Sequence, residues 1–126
     1  MKIIINTALA PAPIGPYSQA VLADNTLYVS GQIALIPESG KMSQASITEE
    51  AHQVMQNIKA ILEEAGMSFS NVVKTSIFLK NISNFTLVNE VYGSYFSGDF
   101  PARETVEVAR LPKEANVEIS VTAVKK

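Results

Sequence analysis

Ser46-Ile47-Thr48-Glu49-Glu50-Ala51-His52-Gln53-Val54-Met55-Gln56-Asn57-Ile58-Lys59-Ala60-Ile61-Leu62-Glu63-Glu64-Ala65-Gly66 sets the fold class, because it separates two quite different stretches of chain. Its apolar residues Ile47, Ala51, Val54, Met55, Ile58, Ile61, Leu62 and Ala65 recur every three or four positions, which predicts an amphipathic helix starting at Ile47. Ser46-x-x-Glu49 supplies a capping box and Gly66 a terminator. Toward the N-terminus, alternating segments at 19–23 and 27–35 flank Asp24-Asn25-Thr26 and predict a hairpin whose second strand is interrupted at Gly31. Pro11, Pro13, Gly15 and Pro16 make a rigid, irregular lead-in to Tyr17-Ser18-Gln19. Toward the C-terminus, Val72 to Lys80 is rich in β-branched residues and predicts a strand. Phe85, Val88, Tyr92, Tyr95 and Phe96 then predict a second helix ending near Gly98. Two more strands are expected at about 103–109 and 116–124. Hairpin, helix, strand, helix and two strands make an α+β domain, with two helices covering one face of a mixed sheet.

The other sheet face is informative too. In the last strand Val117, Ile119, Val121 and Ala123 point one way, and Asn116, Glu118, Ser120 and Thr122 the other. A polar face with few charges suits a subunit interface with pockets, so a closed homo-oligomer is expected. The 126 residues, 47% apolar and 17% charged, fit one domain spanning 1–126. A net charge of −2, with Lys and Arg dispersed along the chain, argues against nucleic acid or an anionic membrane as partner. Without cysteine there is no disulfide or thiolate chemistry, and a single histidine leaves no zinc cluster. Ile3-Ile4-Ile5 is too short for a signal sequence and no window approaches a membrane span, so a cytoplasmic protein is expected. His52 falls off the helix stripe and reads as solvated. The adjacent pairs Glu49-Glu50 and Glu63-Glu64 diverge around the helix axis and read as solvated surface.

Chemistry concentrates near the C-terminus, where Pro101-Ala102-Arg103-Glu104-Thr105 and Val117-Glu118-Ile119 place a guanidinium and a carboxylate on two strand-like segments. An arginine on a rigid strand can grip a small carboxylate bidentately, and a glutamate nearby can handle a water or a proton. Taken alone, these two residues read better as an ion pair across a sheet than as a site.

Gly15-Pro16-Tyr17-Ser18-Gln19-Ala20, Val29-Ser30-Gly31-Gln32-Ile33, Asn89-x-x-Tyr92 and Pro101-Ala102-Arg103 through Val117-Glu118-Ile119 together resemble the Rid family. These are the reactive intermediate deaminases, or YjgF-like proteins, and the archetypal RidA branch is the nearest match. The resemblance spans essentially the whole chain. It implies a chorismate-mutase-like fold, a homotrimer with clefts between subunits, and cofactor-free, metal-independent hydrolysis of 2-imino acids and their enamine tautomers to 2-keto acids and ammonia. It also implies that Arg103 grips the substrate carboxylate and Glu118 handles water. Tyr17, Ser30, Gly31 and Asn89 would complete the substrate site, with Thr105 lining or bordering it. The sequence departs from the commonest pattern at Glu104, where a small residue is usual, at Thr105, where many relatives have cysteine, and at Ser120, where a second glutamate is common. On a regular strand Glu104 should turn away from the pocket that Arg103 lines. Two alternatives stand beside the deaminase: a non-catalytic module binding small carboxylates as signals, and an endoribonuclease or translation inhibitor, against which the acidic net charge argues.

Overall fold

A computed structural model describes all residues, 1–126. The elements are β1 (Lys2–Ile5), β2 (Ala20–Ala23), β3 (Thr26–Gln32), α1 (Ile47–Glu64), β4 (Val72–Leu79), α2 (Phe85–Gly93), β5 (Ala102–Glu107) and β6 (Val117–Val124). They form one six-stranded sheet in the order β1-β2-β3-β6-β4-β5. Neighbours pair antiparallel except β4 and β5, which run parallel because α2 carries the chain back across the sheet between them. The sheet is therefore mixed and the fold α+β, as expected.

Both helices pack on one face. Val54, Met55, Ile58, Ile61 and Leu62 of α1 are fully buried against Leu27, Ile77, Leu79, Val117 and Ile119 of the sheet. Each such side chain contributes roughly 1.5–3 kcal/mol by leaving water, so this layer dictates which sheet face turns inward. The alternation in β6 follows: Val117, Ile119, Val121 and Ala123 are buried, while Glu118, Ser120 and Thr122 face the open side. That open face also carries Tyr28, Ser76 and Phe78, with one ion pair, Lys74 to Glu104 at 3.0 Å.

Several sequence expectations need correction. β1 was not foreseen; Ile3 and Ile4 are about half exposed and only Ile5 is buried, so this edge strand shows no alternation to read. The helix expected to reach Gly98 ends at Gly93, and Tyr95 and Phe96 lie in a tighter i→i+3 turn beyond it. There they pack against Phe69, which recruits them without helical backbone. Only half of the capping box forms: the Ser46 hydroxyl accepts from the Glu49 amide. Glu50 is not solvated but fully buried. Its carboxylate accepts from the Asn116 backbone N–H at 2.7 Å and from Asn116 Nδ2 at 2.8 Å, fastening the approach to β6 onto α1. His52 is exposed as expected, with Nδ1 3.0 Å from the Tyr95 hydroxyl.

Candidate active site

Glu118 occupies a recess on the open sheet face. The pairing of β3 with β6 slips between Val29 and Gln32, so β3 bulges at Ser30-Gly31 beside Glu118. A Cβ on Gly31 would lie 2.8 Å from Glu118 Cδ and closer still to Oε2, so the carboxylate occupies the space that a side chain at Gly31 would take. Gly31 is needed for that close approach, not for a left-handed backbone. Glu118 is partly buried, and burial alone pushes its carboxyl above the ordinary carboxylate range. The recess, about 350 Å³, is also lined by Tyr17, Ser30, Ile14, Ile33 and Leu35. The Ile14 N–H donates to the Tyr17 hydroxyl at 3.2 Å, folding the proline-rich lead-in over the cavity. That lead-in is pinned by buried Gln19, whose amide accepts from Thr7 N–H at 2.7 Å and donates to the carbonyls of Thr7, Ala10 and Pro11. Ser30 Oγ donates to the Ser18 carbonyl at 2.6 Å, tying the bulge to the same segment.

Arg103 occupies a second recess, about 460 Å³, with Asn89, Tyr92, Phe100 and Pro101. Arg103 Nη1 donates to Asn89 Oδ1 at 2.8 Å. The guanidinium carbon lies 5.1 Å from the ring centroid of Tyr92 and 5.6 Å from that of Phe85. The chain's two ion pairs are Lys59 with Glu63 and Lys74 with Glu104, so Arg103 has no carboxylate partner. Buried Tyr92 shares a 2.9 Å hydrogen bond with the hydroxyl of Thr75, and burial raises its phenol pKa against the smaller opposing pulls of Thr75 and Arg103.

Arg103 pairs in register with Thr75, whose side chain is buried beneath the helices, whereas Glu118 pairs with Phe78 on the open face. The two residues therefore lie on opposite faces of one sheet, which overturns the ion-pair reading. Tyr17, Ser30, Gly31 and Glu118 come together, as do Asn89 and Arg103, but a single chain does not unite the two groups. Thr105 lines neither recess; its Oγ1 is the one buried side-chain polar atom without a hydrogen-bond partner. Glu104 turns away from Arg103 as alternation predicts. It bonds to the Ser76 hydroxyl and pairs with Lys74, which in that order hold its carboxyl below the ordinary range.

Gln19 and Tyr92 fall within the family motifs without a role attached to them, Thr75 carries no signal beyond its strand, and Glu50 reads as solvated surface. For Glu50 a signal existed: together with Val54, Asn57 and Ile61 it lies on the buried stripe of α1.

A mixed six-stranded sheet backed by two helices is the architecture of the YjgF-like α+β domains. Residues 7–125 match the Endoribonuclease L-PSP family, and the chain belongs to that family, the Rid group to which its motifs pointed. It is 50% identical over 121 residues to the human 2-iminobutanoate/2-iminopropanoate deaminase, covering 96% of this chain and 88% of the human protein. The Rid-family protein YyfA of Yersinia pestis has 48% identity and a TM-score of 0.96, covering 99% of this chain and 100% of that one. TdcF of E. coli, crystallised with bound serine, has 37% identity and a TM-score of 0.95, covering 98% of this chain and 99% of that one.

Proposed function

We propose that this chain, acting as a single domain over residues 1–126, hydrolyses 2-iminobutanoate, 2-iminopropanoate and their enamine tautomers to 2-keto acids and ammonia. The observation that carries this reading is the pair of unspent groups, an arginine with no counter-ion and a glutamate whose carboxyl burial has raised. Because they sit on opposite sheet faces, a second copy is needed to bring them together, which supports a cleft between neighbouring copies of a closed homotrimer. Arg103 and Asn89 of one copy there face Tyr17, Ser30, Gly31 and Glu118 of the next, with Thr105 at the border. An orphaned buried hydroxyl at Thr105 suits a position that gains its partner from the ligand or the neighbouring copy.

The chemistry asks for positioning more than for force. An imine carbon is already electrophilic, so no cofactor or metal is needed. Arg103 holds the substrate carboxylate through charge-assisted hydrogen bonds of about 1.5–3 kcal/mol each. Glu118 accepts a proton from water as the oxygen bonds to the C=N carbon, and the C=N electron pair moves onto nitrogen, which takes a proton from solvent to give the neutral carbinolamine. Glu118 then passes its proton to that amine, the C–N bond breaks to release ammonia as C=O forms, and the hydroxyl proton returns to solvent, leaving the keto acid. A carboxyl with a raised pKa is suited to both halves of that exchange.

No helix is long and apolar enough to cross a membrane, and we assign the activity to the cytoplasm. A net charge of −2 gives little support to an RNA substrate. Turnover is preferred over ligand sensing because a carboxylate beside the ligand's own carboxylate hinders binding unless it acts on the ligand.

The direct test is release of 2-keto acid and ammonia from freshly generated imines, with spontaneous hydrolysis subtracted. A rate no higher than background, with 2-oxobutanoate still bound, would select the sensing module instead. Gly31→Ala separates chemistry from folding. The new methyl must push Glu118 aside, and a displacement of this size costs about 10²-fold in kcat/KM. The melting temperature should hardly change, because the displaced atoms are the far end of a flexible side chain.

A further inference from the structure

Arg103 presents an energetic problem that the reaction does not explain. It is a partly buried cation, no carboxylate of the chain lies within ion-pair distance, and only Asn89 takes one of its N–H groups. Such a charge is costly unless something compensates it. A resident aspartate or glutamate would do so by occupying the bidentate N–H edge, the same edge that a ligand carboxylate needs.

Phe85, Asn89 and Tyr92 stand at positions i, i+4 and i+7 and share one face of α2, turned toward Arg103. Both rings lie within the range over which a ring face attracts a cation. Tyr92 is itself held from below by Thr75, the residue of β4 in register with Arg103, so ring, strand and guanidinium form one braced unit. We propose that Phe85 and Tyr92 are positioning residues that take the place of a counter-ion. Their negative ring faces stabilise the guanidinium and fix its plane while leaving its N–H edge vacant for a small carboxylate. The inference rests on the reading of Arg103 as the carboxylate anchor and names what keeps that anchor ready before ligand arrives. An arginine already immobilised also loses less side-chain freedom on binding.

The test replaces Phe85, which is 38% exposed and outside the core, with mono-, di- and trifluorophenylalanine, and measures 2-oxobutanoate binding calorimetrically on the intact protein. Fluorine drains the ring face with little change of shape. Affinity should weaken stepwise, by roughly three- to tenfold at the trifluoro ring, with the melting temperature unchanged. Tyr92→Phe, which keeps the ring and loses the Thr75 bond, should bind within about twofold of wild type, whereas Tyr92→Leu should show the full loss. In turnover the loss should appear in KM with kcat preserved. Equal affinity across the fluorinated series, or Tyr92→Phe as weak as Tyr92→Leu, overturns the ring-face proposal. No binding by the wild type instead overturns the anchor reading on which it rests.

Discussion

Arg103→Ala should lower kcat/KM for 2-iminobutanoate hydrolysis by about 10²- to 10⁴-fold, the equivalent of losing two charge-assisted hydrogen bonds of about 1.5–3 kcal/mol each. The loss should not be one of folding. Arg103 lies on β5 at the edge of the sheet, outside the core that α1 builds with β3, β4 and β6. The variant should therefore melt near the wild-type temperature while failing to bind 2-oxobutanoate. Activity within about threefold of wild type would remove Arg103 from the site, because losing even one charge-assisted hydrogen bond of about 1.5–3 kcal/mol costs more than that.

The second large effect is a rescue. Glu118→Gln keeps the shape of the side chain and removes its basicity, so kcat should fall by about 10²- to 10⁴-fold. In the wild type, kcat/KM should rise as pH passes upward through the raised pKa of Glu118, since the carboxylate is the base, and Glu118→Gln should lack that limb. If each cleft takes Arg103 from one copy and Glu118 from the next, two inactive variants can complement each other. Co-expressed Arg103→Ala and Glu118→Gln chains, assembling at random in equal amounts, should leave about a quarter of the clefts with both groups intact. Activity per cleft should recover to that level from almost nothing. Mixed assemblies that stay as inactive as their parents would show that one chain supplies both residues.

The pieces that the sequence made legible are those where pattern and burial coincide. The α1 stripe and the β6 alternation both report a helix layer pressing on one sheet face, and the outward turn of Glu104 follows from strand geometry alone. β1 escaped because only Ile5 of its four residues is buried. Glu50 escaped because a carboxylate on an apolar stripe reads as exposed until Asn116, 66 residues away, is known to meet it. The motifs put forward Tyr17, Ser30, Gly31, Asn89, Arg103 and Glu118 as candidates but not their separation into two recesses, and Thr105, also put forward, lines neither. That separation depends on β5 lying parallel to β4 in a register that sets Arg103 beside Thr75, and such a register is decided by the crossover through α2 rather than by any local signal.

Glu118 also bears on how durable the molecule is. Its carboxyl is held above the ordinary range by burial, and within one chain no cation or hydrogen-bond donor offsets the cost. The folded state therefore binds this proton more tightly than the unfolded chain does. The contribution is fully favourable below the unfolded pKa and is lost as pH rises through the window up to the raised folded value. Above that window the ionised group is a standing strain on the fold. Glu118→Gln should accordingly make the protein more heat-resistant while disabling it, with the gain vanishing in acid. The same carboxylate thus sets endurance against activity, and a scan for thermally hardened variants of this chain should repeatedly return this position as its least useful success.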